Sequence, residues 1–395
     1  MEDIMNLERE DRITRATVLA NRLPTPNYER NYQVTYGRMD LVEAMAENLT
    51  TDGVADPKDI KALTSTLGDV ALGRSDRPVI ITNSCAEEIR VEEPIKALAR
   101  KTLDELNVID RSRLVDPIVI QRIGGQFVKP RSSMTEIVDG VEVPSYMGDG
   151  INGEEAVDRT PDASRLVAGA VQSRDLQEYL TDELGSPVLM AHEALSLPYE
   201  APFLRGGNGG IDKKYLLTAH LPWVGLRTNG LGSPHLGLLS RVKNTTGVKI
   251  GNNSDEGHIA GIARTLNPDG IPGKIAFMVR VSDQDRLPTI LKAIKSHAPA
   301  SIVMYDIHGS TAVREDGKKV RSRGNIIGQI EQLSLACGRV GLRLNGLHLE
   351  TMNVYGRFEC VNHDGQTPMK GSVDPRLNPP QTRYVLDKTA KYINQ

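Results

Sequence analysis

The sequence predicts an α/β fold, a (β/α)8 TIM barrel over residues 78–395 preceded by an N-terminal extension over residues 1–77. Three observations lead there. Eight short runs rich in β-branched and aliphatic residues recur along the chain. Stretches with helical apolar spacing separate several of them, which is the alternation of a parallel barrel. Each run ends in, or leads into, a residue able to do chemistry, and a barrel gathers such strand ends at one mouth.

The chain in order supports this. Residues 1–77 are mostly polar, with helical stretches at Met39–Asn48 and Lys58–Leu67 and a two-proline arm at Asn21–Tyr28. The first strand is Pro78–Thr82, ending in Asn83, Ser84 and Cys85; a helix follows over Pro94–Leu106, its proline in the tolerant first turn. Pro117–Ile123 is the second strand and carries Arg122. Residues 133–165 are rich in Gly, Pro and Asp and read as a long loop. A helix over Leu166–Leu184 leads to the third strand, Pro187–Ala191, with His192 and Glu193 after it. The fourth, Tyr215–Ala219, leads to His220, Trp223 and Arg227. The fifth, Gly247–Ile250, carries Lys249, and the sixth, Lys274–Val279, ends at Arg280. The seventh, Ser301–Tyr305, runs into Asp306, His308, Gly309 and Ser310; the eighth, Gly341–Leu347, leads to His348 and Glu350. Helical patterns at Asp285–Ser296 and Ile326–Cys337 fill the later gaps.

Composition narrows the class. A chain of 395 residues suits one barrel with insertions. With a formal net charge of −3 and 4% aromatics, it offers neither a polyanion-binding surface nor a stacking platform, so no nucleic-acid partner is expected. No apolar run is long enough to span a membrane. The first residues, MEDIMNLEREDR, lack the apolar core of a signal peptide. Three cysteines make no disulfide framework, so a cytoplasmic protein is expected.

Two groups of residues stand out at the strand ends. Cys85, His308, Glu350 and Asp374 offer a thiolate, an imidazole and two carboxylates, a donor set for a divalent metal ion such as Mn, Fe, Co or Zn. No local spacing motif joins them. Taken singly, Cys85 also reads as a small buried side chain, Glu350 as a surface acid and Asp374 as a turn residue before proline. The second group is basic: Arg122, Lys129, Arg131, Arg227, Lys249 and Arg280. The plain alternative is a set of solvated charges, but Lys249 and Arg280 lie within or at the end of apolar strands, where an unpaired charge is costly. A bound anion offsets that cost, and guanidinium forks match carboxylate and phosphate.

The blocks RIGGQFVKPRS, YMGDGIN, TAHLPWVGLRT, GVKIG, IHGS, GLHLE and DPRLNPPQ, in this order, resemble the class II deoxyheptulosonate phosphate (DAHP) synthases over roughly residues 78–385. The resemblance implies a metal-dependent condensation of phosphoenolpyruvate with erythrose 4-phosphate. It implies metal ligation by Cys85, His308, Glu350 and Asp374. Phosphoenolpyruvate would be gripped by Arg122, Lys129, Arg227, Lys249 and Arg280, and the phosphate of an aldose phosphate by Arg131 and Ser132. Several positions depart from the family's pattern. Ser84 stands where an acid is usual, Met147 where an arginine is, Leu226 where a glutamate is, and Ser310 where an asparagine is; Asp306 sits one residue nearer the histidine. With Leu226 unable to handle a proton, Glu193 is expected to do so, beside Lys249 and Arg227. Two other readings fit the same residues: a different aldose phosphate acceptor, or a non-catalytic homologue that regulates an active paralogue. A homo-oligomer is expected.

Overall fold

The computed structural model describes residues 53–84, 87–89, 93–128, 134–138, 140–206, 214–315, 319–352 and 374–395. The expected arm at 21–28 and helix at 39–48 lie outside them. Eight strands close into a barrel in sequence order, β8 returning beside β1. They are β1 (Val79–Thr82), β2 (Ile118–Gln121), β3 (Leu189–Glu193), β4 (Leu221–Val224), β5 (Thr246–Gly251), β6 (Ile275–Arg280), β7 (Ile302–Asp306) and β8 (Gly346–His348). The predicted fold is therefore the observed one.

The chain packs as two compact units. One comprises the described residues of 61–85, 96–122 and 245–395, with β1, β2 and β5 to β8. Its strand pairs are parallel, and their buried runs, such as IVMYD in β7, explain why the sequence shows continuous apolar stretches rather than alternation. Gly346 in β8 lies level with Val79 of β1, and a Cβ there would overlap the Val79 carbonyl, so glycine is what lets these backbones approach. The other unit comprises the described residues of 1–60, 86–95 and 123–244, with β3 and β4.

The helices expected at 58–67, 94–106, 166–184, 285–296 and 326–337 all appear, beside others that the sequence pattern did not mark. They are α1 (Pro57–Ala71), α2 (Ile95–Asp110), α3 (Ser164–Leu184), the short α4 (Pro234–Leu239), α5 (Glu256–Leu266), α6 (Leu287–His297), α7 (Arg323–Arg339) and α8 (Pro379–Thr389). The block DPRLNPPQ contains the start of α8. Asn378 caps it, Pro379 opens its first turn, and Gln381 closes a reciprocal capping box.

Three strands differ most from expectation, and one is the eighth, which is only Gly346–His348 and so includes His348, where Gly341–Leu347 was expected. The fourth is Leu221–Val224, not Tyr215–Ala219; Tyr215–Leu216 instead pairs antiparallel with Leu204–Arg205. Pro222 argues against a central strand, because it cannot donate a ladder hydrogen bond. The burial of all four side chains of LPWV outweighs that loss. Flanking bonds from His220 N–H to the Met190 carbonyl and from Ala194 N–H to the Trp223 carbonyl, both 2.9 Å, hold the pair. The third strand runs on to Glu193, so His192 and Glu193 lie in it rather than after it. The excursion at 133–165 is not all loop, since Thr135–Val138 and Val141–Pro144 form an antiparallel hairpin.

Glu105, on α2, is buried with 2% of its surface exposed. Burial pushes its carboxyl up to about 7, although Thr351 and Thr82 hydrogen-bond to it. An unfolded chain releases this proton near pH 4.5, while the folded chain keeps it until near pH 7. Stability contributed here is therefore present below pH 4.5 and lost as pH rises to 7, a loss of about 3 kcal/mol. Glu105→Gln should raise the unfolding free energy at pH 8 by roughly 1–3 kcal/mol and flatten its fall between these pH values. Urea unfolding across that range measures it, and an unchanged slope would contradict the assignment.

Candidate active site

β7 delivers the first part of the site. Asp306 ends the strand fully buried, and its carboxylate accepts the His308 backbone N–H at 3.1 Å. This caps the single turn Ile307–Ser310, which swings the His308 ring back over the aspartate. Asp306 Oδ1 then lies 2.5 Å from His308 Nδ1. Ser310 is buried and donates its hydroxyl to the Ile307 carbonyl, so it serves the turn itself.

The second part comes from the chain after β8. Glu350 is fully buried. Its Oε1 lies 2.8 Å from His308 Nε2 and 3.3 Å from the Arg122 guanidinium, and its Oε2 lies 2.8 Å from Arg321. A parallel bridge between Thr351 and Leu377 brings in Asp374 from the segment before α8. Asp374 is held by Lys319 at 2.7 Å and by Arg321 at 3.2 Å. Burial by itself would raise the carboxyls of Glu350 and Asp374. For Glu350, His308, Arg321 and Arg122 reverse this and hold it well below the usual range; for Asp374, Lys319, Arg321 and His308 lower it against repulsion from Glu350.

Two overlapping groups in this cluster have ligand atoms close enough to hold a metal ion: His308 with Glu350 and Asp374, and His308 with Asp306 and His348. The electrostatics favour the first. The Lys249 ammonium lies 3.1 Å from Asp306 Oδ2 and 3.3 Å from His308 Nδ1, so the Asp306 side already holds a cation. Asp306 is held well below its usual range, since His308, Lys249 and His348 overcome its burial. Burial, aided by Lys249 and Arg122, pushes His348 down to about 3 despite the neighbouring Asp306, leaving a neutral ring. Asp306 holds the Nδ1 side of the ring, so His308 Nε2 is turned towards the carboxylates of Glu350 and Asp374. That is the usual outer-shell arrangement of a metal-bound histidine, and it calls for a cation between the three groups. The residues present therefore fit a divalent ion.

The structure thus brings together three of the four expected ligands, His308, Glu350 and Asp374. Cys85 lies outside the described residues, as do Lys129, Arg131 and Ser132. Of the expected anion-binding residues in the same unit, Arg122 is buried against Glu350 and Lys249 against Asp306. The side chain of Arg280, at the end of β6, makes no hydrogen bond or ion pair with any described residue. Its backbone borders the His308 turn, where a Cβ on Gly309 would lie 3.6 Å from the Arg280 Cα.

In the other unit, the carboxylate of Glu193 rests against Gly225, where any Cβ would overlap it. Leu226 follows, 39% exposed, and then Arg227. Burial lowers the nearby His235 below its usual range, opposed by the Leu195 carbonyl, Glu193 and Glu200, with Arg227 adding to the fall. His192, also buried, pairs with Glu200 at 2.7 Å, and Glu200 accepts the Thr218 hydroxyl at 2.6 Å. Sequence reasoning missed Arg321, Lys319, Glu200 and Glu87. Arg321 and Lys319 stand in a polar stretch, KKVRSR, that carries no apolar strand to mark them.

The model of the class-II DAHP synthetase family matches residues 25–187 and 181–387. A probable phospho-2-dehydro-3-deoxyheptonate aldolase from Pseudomonas fluorescens is 34% identical over 344 residues, 82% of this chain and 84% of its own length. A phospho-2-dehydro-3-deoxyheptonate aldolase from Neurospora crassa is 26% identical over 90% of both chains. The solved phospho-2-dehydro-3-deoxyheptonate aldolase of Francisella tularensis shares the fold, with a TM-score of 0.54, 13% identity and 96% coverage of each chain.

Arg321 neutralises two carboxylates from within the cluster, so its loss should be felt most without metal. Arg321→Met should lower the metal-free unfolding free energy by about 3–5 kcal/mol, the usual cost of breaking a buried pair. Added Mn2+ should then stabilise this variant more than the parent, because a bound cation takes over part of the neutralisation. Urea titrations with chelator and with Mn2+ measure both effects; a change below about 1 kcal/mol with chelator would contradict the buried-pair account.

Proposed function

The chain belongs to the class-II DAHP synthetase family, whose chemistry is a phosphoenolpyruvate-dependent aldol-type condensation, and from that premise we propose that its acceptor is erythrose 4-phosphate, giving DAHP and phosphate. The observation that carries this reading is the His308–Glu350–Asp374 cluster, with Arg280, whose side chain has no partner among the described residues, bordering its turn.

In this reading Cys85, His308, Glu350 and Asp374 hold a divalent ion. When bound, that ion supplies Lewis-acid polarisation of the acceptor's aldehyde oxygen. Arg280 and Lys249 grip the carboxylate and phosphate of phosphoenolpyruvate, aided by Arg122, Lys129 and Arg227, and fix the attacking carbon. The enol carbon forms a bond to the aldehyde carbon, and the aldehyde oxygen takes up a proton. Water adds to the cationic carbon left behind, the carbon–oxygen bond to phosphate breaks, and phosphate departs. Arg131 and Ser132 hold the acceptor's phosphate. Glu193 takes the proton of the attacking water, since its carboxylate lies against Gly225, beside the position of Leu226 where the family's usual pattern has a glutamate. Lys249, tied to Asp306, keeps the His308 ring in the orientation that faces Glu350.

A second reading keeps phosphoenolpyruvate and changes the aldose phosphate. Leu226 favours it, because an exposed apolar side chain there alters the surface offered beside Glu193. Retention of the metal-ligand set argues against a purely regulatory homologue. A reducing, cytoplasmic setting suits a thiolate ligand at Cys85.

Phosphate release from phosphoenolpyruvate with a panel of aldose phosphates, with and without Mn2+, tests the proposal. Metal-dependent release with erythrose 4-phosphate is expected. If that is the native acceptor, Leu226→Glu should raise the rate, since a positioned acid or base is typically worth roughly 10²–10⁴-fold. If another aldose phosphate is native, the same change should slow its reaction. Release with no acceptor of the panel would contradict both readings.

A further inference from the structure

Asp374 has two cationic partners of different kinds. Arg321 reaches its Oδ2 at 3.2 Å with a side chain wholly out of water, and Lys319 reaches its Oδ1 at 2.7 Å with a side chain 51% exposed. Arg321 is pinned. Its guanidinium also meets Glu350 at 2.8 Å, the Thr311 hydroxyl at 2.8 Å and the Pro375 carbonyl. Lys319 stands on a short antiparallel pair, Ala312–Val313 with Lys319–Val320, and Asp374 is the one partner of its ammonium among the described residues.

The charges around the two carboxylates set a constraint. Arg122 and Arg321 lie on Glu350, and Arg321 and Lys319 lie on Asp374, so three cations already face two carboxylates. The Asp306 carboxylate does not change this balance, since Lys249 lies on it at 3.1 Å. A divalent ion held by His308, Glu350 and Asp374 adds two more positive charges. An ammonium and a metal ion on one carboxylate lie about 4–5 Å apart, a range at which like charges repel appreciably in a partly buried site. One of the three cations has to give way. Arginine does not release its proton, and the side chains of Arg122 and Arg321 are fully buried. Lys319 carries its charge on a flexible stem that is half in water, and a pair so exposed is worth little to the fold.

We infer that Lys319 is an exchangeable counterion: its ammonium neutralises Asp374 until a divalent ion takes that carboxylate, and then turns out into water. The lysine thereby lowers the affinity of the cluster for the ion, and it keeps Asp374 from being left bare when the ion departs. This inference rests on the reading of His308, Glu350 and Asp374 as metal ligands, and its test separates the two.

Mn2+ binding to the full chain is followed by the paramagnetic resonance signal of the free ion, in the parent and in Lys319→Met, Lys319→Arg and His308→Ala. Lys319→Met should tighten Mn2+ binding about tenfold, because the ion no longer displaces an ion pair or meets a third cation. Lys319→Arg keeps the charge and should not tighten it. Weaker binding in Lys319→Met would overturn the inference, since a lysine that stays and orients Asp374 assists the ion. Unchanged binding would overturn it too, as expected of a surface lysine with no bearing on the site. Should His308→Ala weaken Mn2+ binding while Lys319→Met fails to tighten it, the inference fails and the metal site stands. Should His308→Ala leave Mn2+ binding intact, the metal-ligand reading fails and takes the inference with it. If Lys319→Met does not fold, Lys319→Gln is judged by the same comparison.

Discussion

Glu350 is a carboxylate with no access to water, and such a group must be surrounded by positive charge and hydrogen-bond donors or give up its own charge. Arg122, Arg321 and His308 meet that need. Much of the site is arranged around this constraint. Arg321 reaches on to Asp374, fixing the segment before α8; the same arginine is anchored by the Thr311 hydroxyl and the Pro375 carbonyl. His308 is turned to Glu350 because Asp306 holds its far side, and Asp306 is ionised because Lys249 lies beside it. Basic and acidic side chains therefore alternate across the cluster, from Lys249 through Asp306, His308 and Glu350 to Arg321. Each member is buried at a cost that its neighbours offset, so a single change disturbs several.

This alternation gives a polar core that is selective about where further charge can enter. A cation is repelled beside Lys249 and attracted beside the paired carboxylates Glu350 and Asp374. An anion finds Arg280, which has no protein partner among the described residues. A divalent ion and an anionic enol phosphate thus call for the two kinds of position this unit offers. In the other unit the turn at residues 124–126 turns three consecutive backbone N–H groups to the Glu87 carboxylate.

Much of the fold was legible because barrel strands are buried on both faces and appear as apolar runs, and the helices between them keep their period. The fourth strand was misplaced for a physical reason: YLLTA has the better strand composition, but the proline-bearing LPWV has the better burial. His308, Glu350 and Asp374 were legible as a set from donor chemistry and from the family resemblance, while nothing in their spacing predicted that Asp374 reaches the others through the Thr351–Leu377 bridge. Arg321 and Glu87 were not legible, because what distinguishes them is a partner far away in sequence. Asp306 reads in sequence as a displaced family aspartate; in the structure it is the residue that orients His308.

The central claim is that a divalent ion belongs on the Glu350 side of His308 and not on the Asp306 side. Crystals of the full chain grown with Mn2+ and measured at the manganese absorption edge test this most directly. The account predicts one anomalous peak within about 2.0–2.6 Å of His308 Nε2 and of carboxylate oxygens of Glu350 and Asp374, with the Cys85 sulfur completing the set. A peak bonded to Asp306 and His348, or no peak at His308, would contradict it.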